Sequence, residues 1–189
     1  MTLSALLPNG FTDLLPGEAE VESRAIHSLM SHFQGFGYER IKPPLAEFED
    51  TLLAPGPGAA MARDTFRVMD GLSHKMLGIR ADITPQIARI VCTRLKDEPK
   101  PLRLCYANDV LRARAGQLRS VRQFTQVGCE MVEGRTPESP RSYVELAMLA
   151  LLGLKELGLK NITLDFTMPM AFAALYDALG KGEDKDALE

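Results

Sequence analysis

The sequence predicts an α+β fold, with an antiparallel sheet flanked by helices. Segments with apolar residues at helical spacing alternate with short strand-like segments, in the order helix, hairpin, helix, hairpin, helix and strand. With 189 residues, of which 46% are hydrophobic, the chain is long enough to bury a substantial core and is most simply one domain. We therefore expect the hairpins to build one sheet that the helices cover.

The first predicted helix covers residues 18–34, where apolar side chains recur at helical spacing until Gly35 and Gly37 interrupt them. Residues 38–41 have the composition of a short strand, which two successive prolines end. Residues 54–60, APGPGAA, are too rich in glycine and proline to join either neighbour. We expect a flexible loop there.

A hairpin and a second helix are predicted next. Residues 65–79 contain two strand-like segments around an Asp-Gly pair, which is typical of a β-hairpin turn. Thr84 is a natural N-cap and Pro85 fits the first helical position, so a helix is expected to begin here. This helix start would hold Asp82 and Thr84 beside exposed backbone N–H groups.

The second half of the chain predicts two strands at residues 102–111 and 123–132, joined by an arginine-rich loop. A long helix is expected at about residues 139–157, a strand at 161–166 and a helix at 170–179. The side chains of the long helix that we expect to face inward are Val144, Ala147, Met148, Leu151 and either Leu154 or Leu157.

Composition limits the classes of partner. The net charge of -3 and pI near 5.7 give no global attraction to nucleic acid or to an anionic membrane, so such contacts would need a local basic patch. No basic leader precedes a long apolar run, and no window approaches the ~20 apolar residues of a membrane span. We expect a soluble cytoplasmic protein.

The cysteines and histidines do not suggest a metal site. Three cysteines without CxxC spacing favour a reducing compartment and argue against a disulfide framework or a zinc site. Cys92, Cys105 and Cys129 lie in apolar sequence, and we expect core thiols. The histidines at positions 27, 32 and 74 form no ligand set, and we expect surface residues.

Arginines crowd the loop between the two long strands, at positions 112, 114, 119 and 122, with no acidic residue between Asp109 and Glu130. A loop that projects several guanidinium groups can clamp a phosphate or a carboxylate through paired hydrogen bonds. A solvated loop or a subunit contact would account for the same arginines. Both interpretations stay open at this point.

Polar residues on the second long strand suggest a ligand site. Gln126 and Glu130 lie four residues apart, so strand alternation places both on one face with Gly128 between them. These groups suit a ligand with an ammonium or imidazole group, with the glycine leaving room for it. The outward face of a half-exposed strand would look the same. Asp82 and Thr84 are likewise open between a ligand site and ordinary helix-start chemistry.

Several blocks, in the expected order, resemble the class II aminoacyl-tRNA synthetase catalytic core of the histidyl type. They are PNGFTDLLPGEA, the segment GFGYERIKPPLAEFED that is similar to motif 1, RADITPQIAR, and the motif 2 stretch that ends in QFTQVGCE. The likeness covers nearly the whole chain. Within this family the chain is most similar to the non-synthetase branch, the regulatory subunits of ATP phosphoribosyltransferase in histidine biosynthesis.

The resemblance implies a histidine site. Arg112 matches the motif 2 arginine that, in synthetases, contacts the α-phosphate of ATP and the carboxylate of the amino acid. Asp82 and Thr84 match the acidic and hydroxyl positions that hold the α-amino group of histidine. Gln126 and Glu130 match positions that line the same pocket.

Departures from the synthetase pattern separate the two branches. Arg114 stands where a synthetase has a glutamate that reads the adenine amino group, so recognition of adenine should be lost. The ADITPQ block replaces the synthetase's Pro-Glu-Gly-Thr. Because no motif 3 arginine and no anticodon-binding domain follow, we expect a core truncated before motif 3, without adenylation and without tRNA as a partner. Arg114 and Arg122 then remain as possible anion contacts.

The resemblance implies a regulatory subunit and not an enzyme. It would bind L-histidine for feedback control and activate a short-form catalytic subunit of ATP phosphoribosyltransferase, with no cofactor or metal. Members of this branch dimerise through the motif 1 region, so we expect a homodimer face from Phe36 to Phe48. Two alternatives stay open: a histidyl-tRNA synthetase or synthetase-derived enzyme that activates histidine with ATP, and a scaffold without a ligand.

Overall fold

The computed structural model describes residues 7–116, 120–134, 140–167 and 169–178. Contacts divide the chain into two compact units, Met1–Leu159 and Lys160–Glu189. Among the described residues, the first unit holds all of the strands and five of the helices, and the second unit holds one helix.

The helices are α1 (Pro16–Gly35), α2 (Glu49–Leu52), α3 (Pro57–Ala60), α4 (Thr84–Thr93), α5 (Pro140–Glu156) and, in the second unit, α6 (Pro169–Ala178). The strands are β1 (Glu39–Arg40), β2 (Ala46–Phe48), β3 (Phe66–Met69), β4 (Met76–Ile79), β5 (Leu102–Leu111) and β6 (Gln123–Val132). None of the described helices has both the length and the apolar character that a membrane span requires.

The strands form two sheets of three strands each, in the orders β1-β5-β6 and β2-β4-β3. Strands β5 and β6 form a ten-residue antiparallel hairpin, with Leu102 opposite Val132 and Leu111 opposite Gln123. Both predicted hairpins and the α+β class are present. The expected single sheet is absent from the described residues. Strand β2 pairs with β4, and β1 joins β5 in parallel, so the two hairpins belong to separate sheets.

Side chains of the β5–β6 hairpin alternate between two cores. Odd-numbered residues such as Cys105 pack with α1 and α5, where Phe33 and Leu149 are buried. Even-numbered residues such as Tyr106 pack on the other face, against Ile87 of α4. The hairpin is therefore covered by helices on both faces, and Gln126 and Glu130 of β6 share the face that meets α4.

Helix α5 turns a different face inward from the one predicted. Leu149 is 1% exposed and Gly153 is buried, whereas Val144 and Met148 are 61% and 45% exposed. A Cβ on Gly153 would lie 3.0 Å from Cδ2 of Leu29, so the glycine allows α1 to approach closely. Helical spacing of large apolar residues therefore predicted the wrong face.

Polar groups on the inward face of α5 have partners from distant parts of the chain. Glu145 accepts hydrogen bonds from Tyr38 at 3.1 Å and from Nε of Arg103 at 2.9 Å. His32 is 8% exposed, and its Nδ1 lies 3.0 Å from Oε1 of Glu156. The prediction that His32 is a surface residue is therefore wrong, while the histidines at 27 and 74 are exposed as expected.

Three other predictions are wrong. Residues 54–60, expected to be a loop, include the single turn of α3, which the N–H of Met61 closes by donating to the carbonyl of Gly58 at 3.0 Å. Residues 161–166 alternate like a strand but pair with no strand among the described residues. Cys92 is exposed because it follows Val91 on the side of α4 that turns away from the hairpin, whereas Cys105 is buried as expected.

Candidate functional site

The polar residues singled out in the sequence meet where the start of α4 packs against β6. Ile83 and Ile87 are fully or nearly fully buried against the even-numbered face of the hairpin, with exposures of 0% and 2%. Gln126 and Glu130 lie on that face of β6. The first residues of α4 therefore form one wall of the site, and β6 forms the other.

Thr84 joins the two carboxylates of the site. Its backbone N–H donates to Oδ1 of Asp82 at 2.8 Å, and its hydroxyl donates to Oε1 of Glu130 at 3.1 Å. The prediction that Thr84 is the N-cap is wrong, since Ile83 takes that position and Thr84 is the first helical residue. Asp82 supplies the acceptor that an N-cap side chain would otherwise provide, and its charge is favourable at a helix N-terminus.

Gln126 bridges the same two walls through both ends of its amide. Oε1 accepts the N–H of Ile83 at 3.0 Å, and Nε2 donates to Oδ1 of Asp82 at 3.4 Å. The amide therefore satisfies a backbone donor at the helix start and orients Asp82. The face of β6 that carries Gln126 is built into the fold and is not simply a solvated strand surface.

Tyr106 belongs to the site although it was not predicted. Its hydroxyl donates to Oε1 of Glu130 at 3.1 Å. Burial raises the pKa of Tyr106 and the adjacent Glu130 raises it further, so the hydroxyl stays protonated and remains a donor. A Cβ on Gly128 would lie 2.7 Å from this hydroxyl oxygen. The Tyr106 ring therefore fills the space that Gly128 was expected to leave for a ligand. The only sign of this packing in the sequence is that Tyr106 lies opposite Gly128 in the hairpin.

Arg112 lies at the end of β5, where its backbone bridges to Thr65. Its Nε donates to the carbonyl of Ala81 at 3.3 Å, and its guanidinium lies 5.2 Å from the centre of the Phe124 ring. Nη1 and Nη2 have no hydrogen-bond partner among the residues that the structure describes. The side chain thus lies against the loop that carries Asp82, and its two terminal nitrogens keep their hydrogen-bonding capacity.

Two other loop arginines, Arg114 and Arg122, are engaged within the chain. Arg114 pairs with Asp64, with Nη2 3.1 Å from Oδ1. The guanidinium of Arg122 lies between two rings, 5.0 Å from the centre of Phe11 and 4.8 Å from that of Phe66. The anion contacts expected of Arg114 and Arg122 stay predictions, and Arg119 lies outside the described residues.

Arg80 is a second residue that sequence reasoning missed, and it anchors the loop leading to Asp82. It is 4% exposed, and it donates to the carbonyl oxygens of Asp109, Pro43 and Pro44 at 2.7, 3.0 and 3.1 Å. Burial lowers the pKa of Arg80. Nothing in the local sequence distinguishes this arginine from a surface one, because its acceptors come from two distant segments.

The groups with unused bonding capacity define what the site can bind. Within the described residues, Oδ2 of Asp82, Oε2 of Glu130 and the two terminal nitrogens of Arg112 have no hydrogen-bond partner. Two carboxylates at one end and a guanidinium at the other are complementary to a zwitterion that also carries a cationic or hydrogen-bonding side chain. No cluster of three metal-ligating side chains is found in the described part of the chain.

Comparisons with known proteins identify the family of the chain. A family model described as histidyl-tRNA synthetase matches residues 10–189. Relatives named ATP phosphoribosyltransferase regulatory subunit are 48% identical over 95% of this chain in Rhodospirillum centenum and 46% identical over 97% of it in Paramagnetospirillum magneticum. These alignments cover 45% and 48% of the relatives, so the chain spans about half the length of the curated relatives it matches.

Solved structures share the fold. An ATP phosphoribosyltransferase regulatory subunit/histidyl-tRNA synthetase from Bacillus halodurans superposes with a TM-score of 0.69 at 26% identity, covering 85% of this chain and 40% of that one. A histidine–tRNA ligase subunit from Alicyclobacillus acidocaldarius gives a TM-score of 0.67 at 28% identity, covering 82% and 42%. The predicted synthetase-like core and the resemblance to the regulatory subunits are confirmed.

Proposed function

The chain belongs to the histidyl-tRNA synthetase family, and on that premise we propose that it is the histidine-binding part of a regulatory subunit of ATP phosphoribosyltransferase. In this role it performs no chemistry itself. It binds L-histidine, the end product, and alters the activity of a separate short-form catalytic subunit. The names of its relatives support the assignment to a regulatory subunit.

The observation that carries the proposal is the placement of opposite charges around the start of α4. Asp82 and Glu130 each keep one unbonded oxygen, and both are tied to Thr84 at 2.8 and 3.1 Å. The α-amino group and the imidazole N–H of histidine can donate to these oxygens, while Arg112 receives the carboxylate. Tyr106 and Gln126 hold the two carboxylates in position, so the site needs little rearrangement on binding.

Isothermal titration with L-histidine tests the binding step. We expect saturable heat from the wild-type chain and a loss of affinity of about 10- to 100-fold in Glu130→Gln, because a charge-assisted hydrogen bond is removed. Glu49→Gln is a matched control, since Glu49 forms an ion pair with Arg67 on the second sheet, away from the site. A folded wild-type chain that gives no heat at millimolar histidine would contradict the proposal.

Regulation requires a coupling free energy between this site and the catalytic subunit, typically ~1–3 kcal/mol, or about 5- to 150-fold in affinity. We expect histidine to inhibit a complex of the two chains and Glu130→Gln to weaken that inhibition. Equal inhibition of the catalytic subunit with and without this chain would show that the chain does not carry the signal.

We also propose that the chain forms a homodimer through the segment from Phe36 to Phe48. Phe36, Leu45 and Phe48 in this segment are 51%, 51% and 44% exposed, so three large apolar side chains of the segment are accessible to a partner. The substitution Leu45→Glu is expected to shift the chain from dimer towards monomer, which sedimentation analysis measures. Unchanged sedimentation would place the interface elsewhere.

The alternative function is activation of histidine with ATP, which the names of the family model and of a solved relative favour. In this chain Arg114 takes the position of the adenine-reading glutamate and is paired with Asp64 at 3.1 Å. We therefore expect no histidine-dependent exchange of pyrophosphate into ATP. Measurable exchange would replace the regulatory proposal with a synthetase-like one.

A further inference from the structure

Asn108 is a buried polar residue of β5 that faces the candidate site. It is 8% exposed and lies directly opposite Gln126 in the hairpin. Its neighbours on the same face are Tyr106 and Val110, which pack against α4. Nδ2 of Asn108 is buried and has no hydrogen-bond partner among the described residues, and no other described buried side-chain nitrogen or oxygen is in that situation.

An amide nitrogen can only donate, so its missing partner must be an acceptor. Asp82 and Glu130 each keep one unbonded carboxylate oxygen, but neither accepts a hydrogen bond from Nδ2 of Asn108. Along β5, Asn108 lies between Tyr106, at the carboxylate end of the site, and Arg112, at the guanidinium end. A ligand carboxylate held by Arg112 is the acceptor that this arrangement lacks.

We propose that Nδ2 of Asn108 donates a hydrogen bond to the carboxylate of the bound amino acid and makes the site select amino acids over the corresponding alcohols. This inference rests on the proposed function. Arg112 supplies charge for the carboxylate, and Asn108 supplies a directional, uncharged donor. A ligand that replaces the carboxylate with a neutral hydroxymethyl group loses most of this bond.

Titration of two ligands into three proteins tests the inference. L-histidine and L-histidinol, which lacks the carboxylate, are titrated into the wild-type chain, Asn108→Ala and Asn108→Leu. We expect both variants to lose about 10- to 100-fold in affinity for histidine and less than about threefold for histidinol. The leucine variant keeps the number and branching of the side-chain heavy atoms and leaves no cavity, so a loss shared by both variants does not arise from a cavity.

Thermal unfolding without ligand separates a binding role from a structural one. Because an unpaired buried donor destabilises the fold, Asn108→Ala is expected to keep or raise the melting temperature while it weakens histidine binding. Thr125→Ala is the control, since it removes a hydrogen bond of 2.9 Å to Asp109 on the other face of the same hairpin. It should leave the affinities for both ligands unchanged.

The outcomes are distinguishable. Equal losses for histidine and histidinol in the Asn108 variants, or no loss for either, overturn the inference while leaving the histidine site intact. A lowered melting temperature together with equal losses assigns Asn108 to the fold alone. If the wild-type chain binds neither ligand, the proposed function fails and the inference fails with it.

Discussion

Replacement of Arg80 by methionine is expected to destabilise the chain more than the removal of any surface charge would. Arg80 is 4% exposed, and its guanidinium joins the carbonyl oxygens of Pro43, Pro44 and Asp109. Methionine has a similar stem but no donors, so the substitution leaves three carbonyl groups without this partner. The effect should come from lost hydrogen bonds and not from a cavity.

The magnitude follows from the contacts. Hydrogen bonds that involve a charged group contribute about 1.5–3 kcal/mol each, and removal of one side of a buried charged network costs about 3–5 kcal/mol. We expect a loss of roughly 3–5 kcal/mol, against a total stability of about 5–15 kcal/mol for a typical domain. Arg80→Lys should lose about half as much, because a single ammonium cannot reach all three oxygens in the planar geometry of a guanidinium.

Urea denaturation followed by circular dichroism measures this loss, which corresponds to a midpoint lower by roughly 2 M. Arg67→Met is the matched control on the adjacent sheet, since the Arg67 side chain is 43% exposed and its ion pair with Glu49 should contribute less than ~1 kcal/mol. A loss below about 1 kcal/mol in Arg80→Met would refute the argument that these bonds hold the loop in place.

Three further substitutions or treatments test other parts of the structure. Gly128→Ala places a Cβ 2.7 Å from the Tyr106 hydroxyl oxygen, so we expect a loss of about 1–3 kcal/mol in urea denaturation, and unchanged stability would contradict the packing. The hydrogen bond from Arg103 lowers the pKa of Glu145. The ionised Glu145 therefore stabilises the fold above the ordinary carboxyl pKa, and this stabilisation is lost as pH falls through the lowered pKa. The melting temperatures of wild type and Glu145→Gln should therefore converge on acidification, and a constant gap would count against this. Burial raises the pKa of Cys129 to about 11, whereas Cys92 is exposed, so mass spectrometry should find iodoacetamide on Cys92 first at neutral pH; equal rates would disprove the difference.

Local patterns predicted much of the fold. The two long strands lie at residues 102–111 and 123–132 as expected, because alternation along a ten-residue hairpin with helices on both faces leaves a strong signal. The same alternation placed Gln126 and Glu130 on one face of the site. The start of α4 was predicted to within one residue, at Pro85, and the observed helix begins at Thr84 because Ile83 is the N-cap.

Several failures share one physical cause, which is that partners distant in sequence satisfy or cover buried groups. Glu145 and Gly153 made the inward face of α5 look too polar and too interrupted to be buried. Tyr38, 107 residues away in sequence, donates a hydrogen bond to Glu145, and α1 packs closely on Gly153. His32 was taken for a surface residue for the same reason. Arg80 and Tyr106 entered the site only through contacts that span 29 and 24 residues, to Asp109 and Glu130.

The alternation along β6 has a consequence for how this strand can vary in length. Gln126 and Glu130 point to the site, while Val127 and Cys129 between them pack with α1 and α5. Deletion of one residue from the strand would exchange these two sets, so that core side chains enter the site while the Gln126 amide and the Glu130 carboxylate enter the core. Single substitutions in β6 can affect the core or the site separately, but a one-residue deletion damages both, and natural variation in this strand should consist of replacements without gaps.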